Sequence, residues 1–279
     1  MIAHWMREPG KTFEIAKDYE RLRAMGRVLD VNTSLLGSTL RGWRGSIAFR
    51  PARKQPVKPL ELYEFEASPY CRLVREALTE MDLDVLVFPC PKGGTRFRGQ
   101  AQTRGGKIRF PFLLDPNKGV ALFESAEIIS YLADTYEGRA TPARGLRRRI
   151  AVISSFLASS ARGLARARGF RARPSKAPAK PLELYSFESS PFSRLVREVL
   201  CELELPYLVR NCGKAYWQEM GPPWVRDKLF RKPVEGRNRK ALLERAGKVQ
   251  FPYLVDPNTG VEMFESAKII RYLETTYAA

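Results

Sequence analysis

The sequence KPLELYEFEASPYCRLVREA occupies residues 58–77, and KPLELYSFESSPFSRLVREV occupies residues 180–199. The two stretches are identical at fifteen of twenty positions. In each copy an apolar run, Pro59–Phe65 in the first, predicts a short strand. The Ser-Pro pair that follows predicts the start of a helix, because proline is tolerated where the N–H has no partner. The chain therefore repeats one strand–turn–helix unit.

A second pair of similar stretches lies further along the chain. Residues 110–137 and 251–278 share eighteen of twenty-eight positions. The offset between the copies grows from 122 to 141, so the second copy carries nineteen extra residues, all within 213–247. This insert contains Trp217, Trp224 and Phe230 among basic residues. It could shape one site differently from the other.

Each repeat is predicted to be an α/β domain with the order β-α-β-α-β-β-α. A first βαβ crossover would be parallel, and the Asp-Pro-Asn-x-Gly turn predicts an antiparallel hairpin. The result is a four-stranded mixed sheet with helices on both faces. We predict an N-terminal helical segment at 1–57, a first domain at 58–138, a basic helical linker at 139–180 and a second domain at 181–279. Each domain is thus preceded by a helical segment.

Helical spacing supports the two preceding segments. In the first, apolar residues recur from Phe13 to Met25, and a second helix is predicted from Asn32 to about Trp43. In the linker, one face of a predicted helix carries Leu146, Ile150, Ile153, Leu157 and Leu164.

The positive charge is concentrated in the linker. The chain has a formal net charge of +18, and residues 139–180 contain twelve Arg or Lys and no Asp or Glu. Such a segment is either a solvated basic helix or a surface for an anionic partner. No nucleic-acid-binding motif accompanies the charge, so we do not expect nucleic acid to be that partner.

The composition argues against membrane-spanning, secreted and histidine-dependent classes of protein. No apolar run approaches the roughly 20 residues that span a bilayer, and the first residues lack the apolar core of a signal peptide. The four cysteines form no close CxxC pair and fit a reducing compartment, so we expect a cytoplasmic protein. His4 is the only histidine, which makes His-based catalysis and a His-containing metal site implausible.

The order of motifs resembles a known family. A strand, a Ser-Pro-aromatic turn, a Phe-Pro pair and a Glu-Ser pair before a helix occur twice in the same order. This arrangement resembles the N-terminal, thioredoxin-like domain of glutathione S-transferases, over residues 58–138 and 181–279. The resemblance implies a tandem repeat of two thioredoxin-like domains, with glutathione as co-substrate. Family members carry a helical domain after this domain, whereas here the second repeat follows the first.

Ser68 and Ser190 match the family's catalytic position. By resemblance, each hydroxyl would stabilise the glutathione thiolate at the positive end of a helix rather than attack a substrate. The alternative is that each serine only caps its helix, which needs no ligand.

The resemblance also implies further glutathione contacts. The Phe-Pro pairs would contain cis prolines that expose backbone groups to the cysteinyl part, the Glu-Ser pairs would bind the γ-glutamyl end, and two lysines would meet the glycyl carboxylate. These residues are Phe110, Pro111, Glu124, Ser125 and Lys107 in the first repeat, and Phe251, Pro252, Glu265, Ser266 and Lys248 in the second.

Cys71 is a candidate redox thiol. It stands three residues after Ser68, where dithiol relatives keep a resolving cysteine, but neither repeat has a cysteine at the first position. An internal CxxC cycle is therefore excluded. Cys71 is either partly ionised by the helix N-terminus or an inert buried thiol.

The sequence thus predicts a glutathione-binding protein of the glutathione S-transferase superfamily that conjugates glutathione or transfers thiols. Its second substrate would be an electrophilic small molecule or a protein thiol. The alternative is a non-enzymatic thioredoxin-fold scaffold or partner-binding module, whose basic segment at 139–180 meets an anionic surface.

Overall fold

A computed structural model describes residues 26–139, 145–166, 168–219 and 233–279. The predicted helix from Phe13 to Met25 lies outside these residues, as do Trp224 and Phe230 of the insert.

The first repeat forms a complete α/β unit that follows a helix, α1, over residues 26–40. Its elements are β1 (Leu60–Glu64), α2 (Pro69–Glu80), β2 (Val85–Pro89), α3 (Arg98–Gly105), β3 (Phe112–Asp115), β4 (Val120–Phe123) and α4 (Ser125–Leu132), which a π turn extends over Ala133–Glu137.

The second repeat has the same element order. It comprises α5 (Leu146–Arg166), β5 (Leu182–Ser186), α6 (Pro191–Glu202), β6 (Tyr207–Asn211), a 3₁₀ turn (Trp217–Glu219), α7 (Arg237–Ala246), β7 (Tyr253–Asp256), β8 (Val261–Phe264) and α8 (Ser266–Tyr277). The predicted order β-α-β-α-β-β-α is confirmed in both copies.

Each repeat contributes four strands with the predicted directions. Within the first repeat, β1 pairs in parallel with β2 and antiparallel with β3, and β3 pairs antiparallel with β4. The corresponding strands of the second repeat pair in the same way. The two mixed sheets with flanking helices are thioredoxin-like domains.

The two sheets are joined into one. The strand order is β4-β3-β1-β2-β6-β5-β7-β8, and β2 pairs antiparallel with β6 at the centre. Leu86 faces Leu208 in this pair, and these two residues occupy equivalent positions of the two repeats at the offset of 122. An approximate twofold axis perpendicular to the sheet therefore passes between them.

The core continues across this axis. One cluster of buried apolar side chains includes Leu62 and Val74 from the first repeat and Leu184 and Val196 from the second. On the opposite face of the sheet, each repeat has its own smaller cluster, one under α3 and one under α7. The large shared core thus holds the repeats together as a single unit.

Helices α1 and α5 run antiparallel across the axis. Arg41 Nη1 donates to the carbonyl oxygen of Ala151 at 2.9 Å, and Arg162 Nη1 donates to the carbonyl oxygen of Asp30 at 3.2 Å. Between these contacts, Gly37 packs against the carbonyl oxygen of Ala158. The helices that precede the two repeats therefore form one layer over α2 and α6.

The apolar face predicted for the linker helix points away from the core. Ile150, Ile153 and Leu157 are 57%, 60% and 57% exposed. The equivalent face of α1 is also exposed, at Leu29 and Leu36. Small side chains at Ala158 and Ser155 occupy the inner face of α5 instead, which allows the helices to approach closely.

In the described part of the chain, no helix has the length and apolar character required to cross a membrane.

Candidate functional site

The two Ser-Pro turns adopt the same local structure. Ser68 has φ −70° and ψ 124°, and its Oγ accepts a hydrogen bond from Cys71 N at 3.2 Å. Ser190 has φ −63° and ψ 114°, and its Oγ accepts from Ser193 N at 3.2 Å. Each serine is therefore the N-cap of its helix. The proline that follows occupies the first helical position, where its missing N–H costs no hydrogen bond.

The capping role leaves each hydroxyl hydrogen available. As acceptors, the two oxygens use only lone pairs, and among the described residues neither hydroxyl donates to an acceptor. Both serines are only 3% exposed. A ligand that reaches either oxygen would thus meet an O–H donor at the positive end of a helix dipole.

The Phe-Pro pairs lie beside these turns. Phe110-Pro111 and Phe251-Pro252 are cis peptide bonds, as the resemblance implied. Pro111 directly precedes Phe112, which pairs with Tyr63 near the end of β1. The ring of Phe110 contacts that of Phe65 edge-on, with centroids 6.4 Å apart, so this pair adjoins the strand that leads into the Ser68 turn.

The second repeat repeats this contact. Tyr253 pairs with Tyr185 near the end of β5, and the rings of Phe187 and Phe251 meet edge-on at 5.6 Å. Pro252 therefore adjoins the Ser190 turn in the same way.

The Glu-Ser pairs reach the same end of each sheet. Phe123 pairs with Phe112, so Glu124 follows β4 next to Pro111. Glu124 has a positive φ of 65° and forms the N-cap of α4, while Ser125 is the first helical residue and is buried. The serine is therefore not the cap itself. Glu265 and Ser266 have the same arrangement, with φ 73° at Glu265.

The exposed acid of the first pair has a partner. Arg109 Nη1 lies 2.8 Å from Glu124 Oε1, and the side chains are 61% and 50% exposed, respectively. Such an exposed ion pair is weak and easily exchanged for a ligand group.

The two lysines pack on aromatic rings at this end of the sheet. Lys107 Nζ lies 4.4 Å from the ring centroid of Phe123, and Lys248 Nζ lies 4.4 Å from that of Phe264. Each ring belongs to the residue directly before the Glu-Ser pair. The ammonium groups are thus positioned by cation–π contacts close to the predicted site.

Two arginines that the sequence interpretation missed also lie here. Arg98 stacks over Phe110 at 5.1 Å, and Arg239 stacks over Phe251 at 5.6 Å. They are equivalent residues at the offset of 141, the same offset that relates the Phe-Pro pairs. An alignment of the two loops at this offset would have shown an arginine at the same position in both repeats, and that match could have identified them from the sequence.

The cysteines are buried and un-ionised. Burial raises the pKa of the Cys71 thiol to about 12, and the nearby Glu64 carboxylate acts in the same direction. Burial likewise raises the pKa of the thiols of Cys90, Cys201 and Cys212. The helix N-terminus does not overcome this effect at Cys71, so its full burial favours the inert thiol among the two alternatives.

Helix α5 covers one side of the first turn. Ser155 Oγ donates to the carbonyl oxygen of Pro69 at 2.7 Å, and the ring of Phe156 contacts Tyr70 edge-on at 5.3 Å. Helix α1 covers the second turn, where Ser34 Oγ donates to the carbonyl oxygen of Pro191 at 3.0 Å. Each turn is therefore covered by the helix that precedes the other repeat.

The two candidate sites are separate. Because β2 and β6 are antiparallel, β1 and β5 run in opposite directions, and the turns that follow them lie at opposite ends of the sheet. A wide groove of about 890 Å³ lies elsewhere, at the hairpin-turn end of the first repeat beside Asn117 and Lys58, and neither serine lines it.

Two thioredoxin-like domains, each with an N-capping serine, a cis proline and a Glu-Ser pair at one end of the sheet, define a tandem thioredoxin-fold protein. The family model described as "Glutathione S-transferase, N-terminal domain" matches residues 62–140 and again residues 184–279. The two matches cover more than half of the chain, and the chain belongs to this family.

Two solved structures that are similar to parts of the chain are glutathione transferases. Glutathione transferase BmGSTD1 of Bombyx mori is 28% identical over 30% of this chain and 38% of that chain, with a TM-score of 0.26. The Leishmania protein TDR1, a trimeric glutathione transferase, is 13% identical over 80% of this chain and 68% of that one, with a TM-score of 0.27. The match thus spans well under two thirds of the length of the silkworm protein. No curated protein sequence matches the chain.

Proposed function

We propose that this protein binds glutathione at its Ser-Pro turns and that Ser68 and Ser190 stabilise the glutathione thiolate. One observation carries the proposal: each buried serine caps its helix through a lone pair and keeps its hydroxyl hydrogen, beside a cis proline and a Glu-Ser pair. A hydroxyl donor at a helix N-terminus favours the charged form of a thiol.

The chemistry would be conjugation or thiol transfer. In conjugation, the thiolate sulfur forms a bond to an electrophilic carbon, whose leaving group departs with the electron pair. In thiol transfer, the thiolate attacks one sulfur of a disulfide, and the other sulfur leaves as a thiolate. In both cases the serine hydroxyl donates a hydrogen bond to the sulfur and keeps its proton.

Binding and thiolate stabilisation are tested by two substitutions at each serine. Ser68→Gly and Ser190→Gly remove the hydroxyl with little loss of capping, whereas Ser68→Thr and Ser190→Thr retain it. Calorimetry measures glutathione affinity, and the ultraviolet absorbance of the thiolate against pH gives the pKa of the bound thiol. We expect that pKa to lie below the free value of about 8.5 and to return towards it in the glycine variants.

The outcome distinguishes the two halves of the proposal. Absence of glutathione binding to the unmodified protein would refute the binding site. Binding with an unshifted thiol pKa, or with the same shift in the double glycine variant, would refute the role of the serines. Single variants show which repeat is active.

The structure also favours a second candidate, a scaffold that meets an anionic surface. Ile150, Ile153 and Leu157 form an exposed apolar stripe on α5, within the basic segment of residues 139–180. Arg149 is exposed beside them. Apolar residues flanked by basic ones on a surface helix are typical of peripheral binding to anionic lipid.

Some arginines of the basic segment are already paired with carboxylates of the protein, so fewer of them are free to contact an anionic surface. Arg162 pairs with Glu198 at 2.6 Å, and Arg173 pairs with Glu274 at 2.7 Å. The charge of the segment is thus partly structural, and exposed residues such as Arg149 and Arg171 remain for an anionic surface.

Vesicle binding tests this candidate. The unmodified chain should co-sediment with anionic vesicles at low salt, and the Ile153→Glu/Leu157→Glu double variant should bind at least tenfold more weakly. Ile108→Glu, at an exposed residue outside the stripe, is the control. Equal binding of the double variant and the control would refute a role for α5.

A further inference from the structure

Arg72 and Arg194 are buried arginines at equivalent positions of the two repeats, on the first turns of α2 and α6. Each is only 2% exposed. Their guanidinium groups approach each other near the twofold axis. A Cβ atom added to Gly37 would lie 3.3 Å from Arg194 Nη1 and 3.8 Å from Arg72 Nη1. Both nitrogens therefore lie within 4 Å of one point beside Gly37.

The other buried arginines around this axis have carboxylate partners. Arg75 pairs with Glu188 at 2.9 Å, and Arg197 pairs with Glu66 at 3.1 Å, so each links one repeat to the other. Arg162 binds Glu198 through two hydrogen bonds, of 2.7 and 2.6 Å. The nearby carboxylates are therefore already engaged.

Arg72 and Arg194 lack such partners among the described residues. Arg72 Nε and Nη1 are buried without a hydrogen-bond partner, as is Arg194 Nε. The remaining nitrogens of Arg194 donate only to neutral oxygens, namely the carbonyl and hydroxyl of Ser34 and the hydroxyl of Ser38.

A small cavity adjoins both groups. Its volume is about 10 Å³, which suits one particle of roughly the size of a water molecule. Ser159 lines it, and the buried Ser159 Oγ also lacks a partner. Among its charged lining residues are four arginines and two glutamates: Arg72, Arg162, Arg168, Arg194, Glu66 and Glu198. The cavity is thus enclosed, polar and positively charged.

Two buried guanidinium groups in one place are unfavourable without a negative charge. Burial lowers the pKa of both Arg72 and Arg194, and the charge of Arg72 further lowers that of Arg194. The charges of Glu188 and Glu66 act in the opposite direction, but the pKa of each arginine stays below its ordinary value. Arginine nevertheless stays protonated near neutral pH. The two buried groups therefore keep their positive charges, and their repulsion is not removed by loss of a proton. A water molecule would satisfy hydrogen bonds but would add no negative charge to the partial compensation that the glutamates provide.

We propose that the cavity binds a monatomic anion of chloride size, held by Arg72 and Arg194 and by the hydroxyl of Ser159. The small volume excludes phosphate and carboxylate ligands. The anion would bridge the two repeats beside the axis, behind the Ser68 turn, and it would be independent of glutathione.

Thermal unfolding at constant ionic strength provides the first test. The midpoint temperature Tm of the full chain should rise with chloride or bromide concentration relative to potassium gluconate, because gluconate is too large to enter. In Arg72→Met a buried charge without an ion-pair partner is removed, so the Tm should no longer depend on halide. In gluconate this variant should be as stable as the unmodified protein or more so.

A matched substitution controls for general salt effects. Arg44→Gln removes an arginine whose side chain is 47% exposed and paired with Glu80, and it should leave the halide dependence unchanged. Equal Tm values of the unmodified protein in chloride and gluconate would overturn the proposal.

Anomalous diffraction from crystals grown in bromide gives a readout that does not depend on any variant. We expect a peak within hydrogen-bonding distance of Arg72 and Arg194. A cavity without a bromide peak, even with peaks at the surface, would show that water fills it and would overturn the proposal.

Discussion

Glu64 and Ser186 occupy equivalent positions at the ends of β1 and β5, yet only the first is acidic. Glu64 is 1% exposed and pairs with Arg75. Burial raises the pKa of the Glu64 carboxyl to about 7, and the neighbouring carboxylates Glu66 and Glu188 add to the rise. The second repeat avoids this cost with a serine whose hydroxyl accepts from Arg197.

Glu64 should make stability depend on pH. The folded state holds its proton up to a pKa of about 7 and the unfolded state only to 4.5. Between these values the folded protein binds more protons, so the free energy of unfolding falls as pH rises and levels off above pH 7. We expect Glu64→Gln to flatten this dependence by on the order of 1–3 kcal/mol between about pH 4.5 and 7. Urea denaturation at a series of pH values measures it.

Asp82 contributes with the same sign at lower pH. Burial raises the pKa of its carboxyl to about 6, so some slope should persist in Glu64→Gln below that value. Because burial also raises the pKa of the Glu198 carboxyl, the difference in slope between the two proteins above pH 6, and not the slope of either, reports on Glu64. Parallel curves for the variant and the unmodified protein in that range would contradict the assignment.

Thiol accessibility is a second property of single residues. Cys71, Cys90, Cys201 and Cys212 are each no more than 2% exposed, and burial raises the pKa of each thiol. We expect none of them to react rapidly with a charged, water-soluble disulfide reagent in the folded protein, and all four to react in denaturant. A fast-reacting thiol in the folded state that is lost in Cys71→Ala would instead support Cys71 as a redox thiol.

Residue types in the candidate site were predictable from the sequence, but their environments were not. The Ser-Pro, Phe-Pro and Glu-Ser pairs are local motifs, and their order sufficed to place Ser68, Pro111 and Ser125 at one end of the sheet. The burial of Cys71 depends on contacts that are remote in sequence. The cation–π contacts of Arg98 depend on the path of a loop, which local patterns do not determine.

At the scale of elements, two glycines allow the helical segments to approach the repeats. Gly45 follows α1 with φ +72°, and an added Cβ would lie 2.8 Å from Glu188 Cβ. Gly169 follows α5 with φ +68°, and an added Cβ would lie 2.9 Å from Glu66 Cβ. These carboxylates are themselves paired across the axis, so neither side chain can shift freely.

Alanine at either glycine should therefore destabilise the fold twice over. The positive φ alone costs on the order of 1 kcal/mol for a residue with a Cβ, and the collision adds roughly 1–3 kcal/mol. Gly42→Ala serves as the control, because Gly42 has φ +59° but no atom within 4 Å of an added Cβ. Chemical denaturation should rank Gly45→Ala and Gly169→Ala well below Gly42→Ala. Equal losses for all three would show that backbone conformation alone matters.

Helix α5 shows where a periodic pattern misleads. The spacing of Ile150, Ile153 and Leu157 predicted the helix, and the helix is present. Its apolar face is nevertheless exposed, because the opposite face carries the contacts that matter here: Ser155 with Pro69 and Arg162 with Glu198. Periodicity reports which residues share a face and not which face is buried when polar contacts across the molecule are numerous.

At the scale of the whole molecule, the union of the repeats could not be read from the sequence. The strand β2 would be an edge strand in an isolated repeat, and nothing in its apolar sequence distinguishes an edge from a centre. The pairing with β6 follows from the duplication, because equivalent edges are self-complementary about a twofold axis. The buried Arg–Glu pairs then join the same edge on the helical face.

This union predicts that the repeats unfold together. Burial alone would raise the pKa of the Glu188 carboxyl, but Arg197 and Arg75 hold it down at about 2, so the group is charged at neutral pH. Glu188→Gln leaves these guanidinium groups, one from each repeat, short of a carboxylate. Removal of one partner from a buried ion pair costs about 3–5 kcal/mol. We expect one thermal transition in both proteins, at a lower temperature in the variant.

Hydrogen–deuterium exchange locates the effect. In Glu188→Gln, amide protection should fall in β1 and α2 of the first repeat as much as in β5 and α6 of the second. Glu262→Gln removes a partly exposed carboxylate that pairs with Arg245 and accepts from Tyr253 inside the second repeat, so its cost should be smaller than that of Glu188→Gln and confined to that repeat. Two separate thermal transitions, or a loss of protection confined to residues 181–279 in Glu188→Gln, would show that the repeats are independent domains that merely adjoin.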